Sequence, residues 1–410
     1  MDILKFYTIL WVFCTILTES AFADCDLKSP NDLLESLKAN HPQITENQAF
    51  LSETSKWIEI AKQRPNPNFD AVGMQGEETD GDVERISLSI KHTFELGGKR
   101  PSRIKYADSR RKQFQSSIQE SNEEIIINAI IKAYKLRHIK ELIPVYEEAY
   151  DTLSKILKIK LKRKTLSPNE QVEKETLVLA TNDYRLKVSK LQSEKIKLSK
   201  HLSFFINKKC EFSKSVLPQK VDLNKKFSLS NTHNSYSKLQ KAIAKLESAK
   251  MKLNLEKSNA YPDLKLGPAF ETEKINGRNY QSVGLSLSFD LPILNFNNGR
   301  KSQALAQIST AKLKLKNVEK KASVDLEIWI DKYNSLRERL KNISTKDDLE
   351  KKHLKIKKLF KRGIISTAMV IESHRQLIEF AKTRYDFELD TAEALWNIYK
   401  INGTLFSEKL

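Results

Sequence analysis

The chain has 410 residues, with 71 lysines and arginines against 52 aspartates and glutamates, and its formal net charge is +19. The basic residues are spread along the whole chain, which is typical of solvated helix faces and argues against a nucleic-acid-binding patch. After the N-terminal segment, no stretch reaches the about 20 consecutive apolar residues that a transmembrane helix needs. Composition therefore excludes a bundle of membrane-spanning helices.

The N-terminal segment, 1–23, has the features of a secretory signal peptide. Lys5 lies in a short basic region, the segment 6–17 is apolar, and Ala21-Phe22-Ala23 supplies small residues at the spacing of a cleavage site. Cleavage after Ala23 is favoured over lipoprotein processing at Cys25, because an aspartate precedes that cysteine. The chain is therefore predicted to be exported.

Two cysteines remain in the exported chain, Cys25 and Cys210. An oxidising compartment permits a disulfide between them, but their separation in the sequence says nothing about their distance in space. Acylation of Cys25, a free thiol and pairing with Cys210 all stay open.

The segment 24–207 is predicted to form a first repeat of helices and strands. Pro42 interrupts its first helical pattern, because proline cannot donate to the helix hydrogen-bond ladder. Its longest pattern, of roughly sixty residues, would make a helix about 90 Å long and therefore part of a bundle, with a kink expected at Pro144. The elements are a helix pair over 31–64, a hairpin at about 69–96, a long helix at about 101–162 and a return helix at about 169–205.

The segment 237–410 is predicted to repeat this order. The segment 208–236 between the halves is polar and without periodicity, which indicates a linker. The elements of the second repeat are a helix over 237–258, a hairpin at about 264–291, a long helix at about 300–361 and a return helix at about 367–402.

The strand at 282–291 has two different faces. Apolar side chains alternate with serine, glycine and aspartate for ten residues, which indicates a strand between an apolar and a polar environment. The apolar positions are Val283, Leu285, Leu287, Phe289 and Leu291.

Matching landmarks indicate an internal duplication. Gly98-Lys99-Arg100 corresponds to Gly299-Arg300-Lys301 at an offset of 201 in the numbering, and Ser167 corresponds to Ser366 at an offset of 199. A nearly constant offset across a whole long helix is typical of repeated units. Each half would thus supply one hairpin, and the chain four strands.

Four alternating strands of this length suit an outer-membrane barrel but cannot close one, and an open edge in lipid would leave backbone groups unpaired. Three copies would supply twelve strands, with the charged helices projecting into the periplasm. The competing interpretation is an ordinary sheet with a coiled-coil scaffold, which would make the chain a periplasmic or secreted interaction protein without a pore.

These features together resemble the TolC-type outer-membrane efflux proteins over essentially the whole exported chain. The junction before the first long helix is especially similar to the CzcC-like branch, which serves heavy-metal cation efflux. The motifs that carry the resemblance are Asn40-His41-Pro42, Asn66-Pro67, Phe94-Glu95-Leu96-Gly97-Gly98-Lys99-Arg100, Tyr261-Pro262-Asp263-Leu264, Phe289-Asp290-Leu291-Pro292-Ile293, Gly299-Arg300 and Gly363-Ile364-Ile365-Ser366.

The resemblance implies a mainly α-helical fold with a β-barrel part: a homotrimer with a twelve-stranded barrel in the outer membrane and a long α-helical barrel in the periplasm. It implies outer-membrane lipid, a periplasmic adaptor and an inner-membrane pump of the RND type as partners. The chain would be a passive conduit and not an enzyme, with no cofactor. Its cargo stays open between heavy-metal cations, drugs and polypeptides, because the pump selects the cargo.

The resemblance also implies roles for individual residues. The turns between the long helices and the return helices would contact the adaptor, and acidic residues just beyond them would line the pore constriction. Met369 stands where the family has a second acidic residue, which departs from a double acidic ring. The contact residues are Arg163, Thr165, Ser167, Arg362, Gly363 and Ser366, and the constriction residues are Glu170, Glu173 and Glu372.

The two strand-to-helix junctions are predicted to be turns that glycine permits. They comprise Gly97, Gly98 and Lys99 in the first half and Gly299 and Arg300 in the second. The basic residues there do not form a phosphate loop, because the upstream glycine and the following hydroxyl residue are missing. No cysteine–histidine cluster predicts a metal site, and His374 alone is a weak ligand argument.

Overall fold

The computed structural model describes residues 25–78, 81–227, 235–275, 277–343 and 346–410. The predicted signal peptide, 1–23, lies outside them. Within these residues the chain forms eight α-helices, four strands and a short 3₁₀ turn at Leu405–Ser407. The helices are α1 (Pro30–Asn40), α2 (Pro42–Lys62), α3 (Lys99–Leu161), α4 (Pro168–Phe205), α5 (Ser237–Ser258), α6 (Asn298–Asn342), α7 (Lys346–Lys361) and α8 (Thr367–Asn402).

The first two helices begin and end where local chemistry requires. Ser29 caps α1 in a capping box, in which its hydroxyl accepts from the Asp32 amide and the Asp32 carboxylate accepts from the Ser29 amide. His41 separates the two helices, and Pro42 opens α2 at a position where a missing N–H costs nothing.

The helix α3 is continuous for 63 residues and passes through Pro144. At 1.5 Å per residue it is about 95 Å long. The return helix α4 packs against it, and α8 packs against it from the second half of the chain. The predicted long helices are therefore confirmed in the first half.

The second half differs from the prediction of one helix over 300–361. The helix α6 ends at Asn342, Ile343 is extended with φ −82° and ψ 142°, and α7 begins at Lys346. The sequence here is Asn-Ile-Ser-Thr, whose β-branched and backbone-bonding side chains disfavour helix. A glycine- and proline-free pattern was thus not sufficient for a continuous helix.

The four strands form one antiparallel sheet in the order β1 (Asn68–Glu78), β2 (Gly81–Phe94), β3 (Leu264–Ile275) and β4 (Arg278–Phe289). The two hairpins pair through β2 and β3, so that Leu88 lies opposite Phe270. The strands β1 and β4 are the edges of the sheet. The fold class, long helices with one four-stranded sheet per chain, is confirmed.

One face of the sheet is apolar from edge to edge. Directly opposed residues share a face, so the register places one apolar set side by side across all four strands. These side chains are largely exposed in the single chain, and Val283 is 82% exposed. The set is Phe69, Ala71, Ile86, Leu88, Ile90, Leu266, Phe270, Val283, Leu285 and Leu287.

The opposite face of the sheet carries charges in cross-strand pairs. Arg85 contacts both Glu271 and Glu273, and Lys91 lies 2.7 Å from Asp70. The charged pairs on one face and the apolar side chains on the other correspond to the two environments that the alternating pattern predicted.

Of the helices in the described part of the chain, none combines the length and apolarity that a membrane crossing requires.

The segment predicted as a linker, 208–236, is irregular over its described part but is packed into the protein. Phe212, Val216 and Leu217 are almost fully buried and join the main hydrophobic core with residues of α1, α3, α4, α6 and α8. A disulfide joins Cys210 to Cys25, whose Cα atoms are 5.1 Å apart. Of the alternatives for Cys25, the structure therefore has the pair.

Candidate functional site

The first strand-to-helix junction turns through two glycines. Gly97 and Gly98 have φ of 65° and 71°, in the left-handed region that residues with a Cβ rarely adopt, and Gly98 is the N-cap of α3. A Cβ on Gly97 would lie 2.4 Å from the Tyr261 ring. Lys99 pairs with Asp263 over 2.6 Å and so ties this junction to the start of the second hairpin.

The second junction turns at Asn297 rather than at Gly299. Asn297 is the N-cap of α6 with φ 59°, and its side-chain amide donates to the Glu256 backbone and carboxylate over 2.8 and 2.9 Å. Gly299 and the exposed Arg300 lie in the first turn of α6. Asparagine tolerates the left-handed region through local hydrogen bonds, which explains its place here.

This geometry corrects the match between the repeats. The N-cap Gly98 corresponds to the N-cap Asn297, at an offset of 199 in the numbering, and not to Gly299. Ser167 and Ser366, the N-caps of α4 and α8, have the same offset. The offset is thus constant from one end of the long helices to the other.

The first helix turn, between α3 and α4, is organised by Ser167. Its side chain and the Glu170 side chain form a capping box, and Arg163 pairs with Glu170 over 2.6 Å. Glu173 pairs with Lys160 of α3. The Ser167 amide bond and the Arg163 charge lower the pKa of Glu170.

The second helix turn, between α7 and α8, differs in shape. Gly363 has φ 71°, and the Gly363 and Ile364 amides donate back to the carbonyls of Phe360 and Leu359 over 2.8 and 3.1 Å. This is a Schellman ending, which needs a left-handed residue. The first turn has no positive φ among its residues, consistent with Lys164 at the equivalent position. Ser366 caps α8, and Thr165, Arg362 and Ile364 are exposed.

The third predicted constriction carboxylate also has a basic partner. Glu372 accepts from Arg375 over 2.7 and 2.8 Å and from Gln376 over 2.8 Å, and these bonds lower the pKa of Glu372 to about 2. All three predicted carboxylates are therefore ion-paired within the single chain. Glu170 and Glu173 lie near the start of α4, after the first helix turn, and Glu372 lies near the start of α8, after the second.

A buried polar cluster near the middle of α3 was not predicted. Arg137 Nη2 and His138 Nε2 lie 2.5 and 3.1 Å from the Glu388 carboxylate, and the Val221 amide donates to its other oxygen over 3.2 Å. Burial opposes ionisation of Glu388, but the bonds from His138 and Arg137 lower its pKa to about 2. Arg137 also donates to the Pro218 carbonyl over 3.0 Å.

The cluster joins three parts of the chain that are distant in sequence: α3, α8 and the irregular segment. Its only sequence signal is the dipeptide Arg137-His138 between the apolar residues Leu136 and Ile139, in a part of the helix that would pack against the hydrophobic core. That signal identifies a buried charge but not its partner.

No protein-family model matches this sequence, and no curated protein is significantly similar to it. Solved structures are similar in fold. The outer membrane channel CmeC of Campylobacter jejuni is 14% identical, with a TM-score of 0.72 over 93% of this chain and 86% of that one. The open-state MtrE outer membrane channel of Neisseria gonorrhoeae is 13% identical, with a TM-score of 0.69 over 95% and 94%.

The outer membrane protein VceC of Vibrio cholerae is 12% identical, with a TM-score of 0.67 over 91% of this chain and 95% of that one. In all three comparisons both chains are covered almost from end to end, so the helices and the sheet match together. The chain has the fold of these outer membrane channels.

Proposed function

We propose that this chain is the outer-membrane channel subunit of a tripartite efflux system, a passive conduit from the periplasm to the exterior. The observation that carries the proposal is the four-stranded sheet with two free edges, one apolar face and one charged face, attached to long helices, of which α3 is about 95 Å long. An apolar face of this kind suits lipid, and the charged face suits a water-filled lumen.

The free edges support a homotrimer. In lipid every backbone donor and acceptor needs a partner, so β1 of one copy would pair with β4 of the next until the wall closes. Three copies supply twelve strands, and their long helices would form the periplasmic barrel. A helix about 95 Å long exceeds the hydrocarbon core of a bilayer, about 30 Å, by a wide margin.

The adaptor is proposed to contact the two helix turns. Residues beside the turns expose apolar side chains to solvent: Ile364 is 63% exposed, Met369 58% and Val172 69%. Exposed apolar residues next to basic ones, such as Arg163 and Arg362, suit docking of an amphipathic hairpin. The adaptor would link the channel to an inner-membrane pump of the RND type.

The constriction is proposed to lie beyond the turns, at Glu170, Glu173 and Glu372. Since each of these carboxylates has a basic partner, the constriction would present ion pairs rather than a ring of free negative charge. Its cation selectivity would then depend on how firmly the basic partners are held.

Heavy-metal cations are the proposed cargo, on the strength of the CzcC-like junction at Phe94–Arg100. Drug or polypeptide export through the same fold is the alternative. Two experiments test the cargo. One deletes the gene and measures the sensitivity of the cells to a panel of metals and drugs, and the other co-purifies the adaptor and the pump with the channel. Hypersensitivity to divalent metals alone supports metal efflux, whereas hypersensitivity to drugs alone contradicts it.

Cell fractionation tests the conduit itself. A channel subunit is recovered in the outer membrane as a detergent-stable trimer. Recovery as a soluble periplasmic monomer would instead support the competing function, an interaction protein without a pore.

A further inference from the structure

Two histidines from neighbouring helices lie against each other inside the protein. His353 of α7 and His374 of α8 are 6% and 2% exposed, and their rings meet edge to face with centres 4.5 Å apart. His353 and Glu148 also line a cleft of about 310 Å³ between α3, α7 and α8. The structure therefore places a second histidine beside His374, which the sequence did not indicate.

His374 is held in the tautomer that a metal ligand needs. Its Nδ1 lies 2.9 Å from the Val370 carbonyl oxygen, which can only accept, so Nδ1 carries the proton. In the neutral ring the lone pair is then on Nε2, which is buried and has no hydrogen-bond partner in the described part of the chain. Metal-binding histidines usually donate their other N–H to a carboxylate or a backbone carbonyl in this way. Burial lowers the pKa of His374, which favours the neutral ring.

His353 has both ring nitrogens buried and without a hydrogen bond to any described residue. The Glu148 carboxylate is 3.6 Å from its Nε2, beyond hydrogen-bonding distance. The ring can therefore turn without breaking a hydrogen bond. Two nitrogens that bind one tetrahedral ion at 2.0–2.1 Å are about 3.3 Å apart, a separation that rings with centres 4.5 Å apart can reach by such a turn.

Three buried nitrogens with unmade bonds thus lie close together, whereas buried polar atoms are usually satisfied. Because His374 does not line the cleft, the position between the rings suits a single ion rather than a larger molecule. Of the histidine, cysteine, aspartate and glutamate side chains that the structure describes, no three are grouped as a metal site. Glu148 is near but pairs with Lys357 over 2.8 Å. The two imidazoles are therefore the protein ligands, and water fills the other positions of the ion.

We propose that His353 and His374 bind one transition-metal ion of the zinc, copper or nickel class, which enters from the cleft and links α7 to α8. Imidazole nitrogens suit these ions, whereas magnesium and calcium prefer oxygen ligands. The ligand atoms are Nε2 of His374 and one ring nitrogen of His353. Both residues belong to one chain, so the site goes beyond the conduit role and depends neither on that role nor on the cargo.

Binding of Zn²⁺ to the full-length protein in amphipol, prepared without a polyhistidine tag, tests the site. Calorimetry is expected to show one Zn²⁺ per chain and no binding of Mg²⁺ to the same site. Electron paramagnetic resonance of the protein with one Cu²⁺ per chain is expected to show coupling to two imidazole nitrogens. Absence of Zn²⁺ binding, or a copper spectrum without coupling to two nitrogens, overturns the proposal.

Phenylalanine substitutions identify the ligands, because they remove the nitrogens and keep a ring. His353→Phe and His374→Phe are each expected to weaken Zn²⁺ binding at least about tenfold, since changes to the outer partners of metal ligands alone cost about 10–100-fold. The matched control is His201→Phe on α4, whose half-buried ring packs on Phe205 and is expected to leave binding unchanged. Equal losses in all three variants, or no loss in the first two, overturn the site. If a variant fails to fold, the copper spectrum of the parent protein decides.

Discussion

Arg137 of α3 and Glu388 of α8 form a buried ion pair, with Nη2 and Oε2 2.5 Å apart although the residues are separated by 251 positions. The side chains are 7% and 9% exposed. His138 and the Val221 amide complete the bonding of the carboxylate. One ion pair thus fastens the first repeat, the second repeat and the irregular segment to each other.

Removal of the Glu388 charge is expected to be strongly destabilising. In Glu388→Gln the buried Arg137 loses its closest counterion and keeps only the Glu141 carboxylate, 3.6 Å from its Nε. Breaking a buried pair in this way typically costs about 3–5 kcal/mol. The matched control is Glu393→Gln on the same helix, whose carboxylate is 45% exposed and pairs with Lys332 over 3.3 Å. That change is expected to cost less than about 1 kcal/mol. Denaturant titration of both variants checks the difference, and similar losses would contradict the buried pair.

Alanine substitutions at three glycines test the corrected match between the repeats. Gly98→Ala puts a Cβ on a left-handed residue and is expected to cost about 1–2 kcal/mol. Gly97→Ala is expected to cost more, because its Cβ also overlaps the Tyr261 ring.

Gly299→Ala is the control for these two, because nothing lies within 4 Å of a Cβ there and the residue is in the first turn of α6. It is expected to be neutral or stabilising by up to about 0.5 kcal/mol. Thermal unfolding measures all three variants. A loss at Gly299 as large as at Gly98 would restore the match of Gly98 with Gly299.

Acidification is expected to weaken the packing of α7 through His374. Burial and the neighbouring His353, whose ring centre lies 4.5 Å away, lower the pKa of His374. Glu148 raises it and Lys357 lowers it further, and the Nδ1 atom contacts the Val370 carbonyl over 2.9 Å. The unfolded chain therefore binds a proton near pH 6.5 that the folded chain resists, so stability falls as pH falls below about 6.5.

His374→Phe removes this titration and keeps an aromatic ring in the same place. The variant is expected to lose less thermal stability between pH 7.5 and 5.5 than the parent protein. A residual loss is expected, because burial also lowers the pKa of His41. The same loss in the parent and in the variant would rule out His374 as the source.

Removal of either partner of the Glu372–Arg375 ion pair is expected to change the cation selectivity of the channel, in opposite directions. Arg375→Gln frees the carboxylate, and the channel is expected to become more cation-selective; Glu372→Gln frees the guanidinium and is expected to lower cation selectivity. Reversal potentials in a KCl gradient across planar bilayers measure both, with the exposed Glu379→Gln as control. Shifts in the same direction for both variants would contradict the proposed constriction.

Local chemistry made much of the fold predictable. Alternating side chains located the strands, Ser167 and Ser366 were matching landmarks of the two repeats, and Pro42 marked the interruption between α1 and α2. These signals act over a few residues, since caps, proline and alternation concern neighbouring positions. Gly98 was matched with Gly299 rather than with Asn297, because asparagine, unlike glycine, does not by itself indicate a left-handed residue.

Contacts between distant segments could not be predicted in the same way. The pairing of Leu88 with Phe270, the disulfide of Cys25 with Cys210 and the ion pair of Arg137 with Glu388 all depend on tertiary packing. The break after Asn342 reflects the low helix propensity of the residues around it, which is a weaker sequence signal than a proline or a glycine would be. The pair of Lys160 with Glu173 likewise depends on packing across the helix turn, whereas the pair of Glu372 with Arg375 is local, between residues three positions apart on one helix.

The central claim is that the sheet closes between copies of the chain, and cysteine cross-linking tests it most directly. Val72 of β1 and Ser282 of β4 lie on the same charged face, at the two edges of the sheet. Neighbouring strands are about 4.8 Å apart, and closure of a barrel staggers the strands of adjacent copies. Val72→Cys is therefore combined in turn with Ser282→Cys, Ser286→Cys and Ser288→Cys, which share one face of β4, and a flexible bis-maleimide joins it to the cysteine of the next copy. Cys25 and Cys210 are paired with each other and would not react, and Cys14 lies in the predicted signal peptide.

In outer membranes that contain these double variants, we expect at least one of them to give dimer and trimer bands and none larger, with no cross-link in any single variant. A monomer band alone, from protein that is folded but soluble in the periplasm, would contradict the channel.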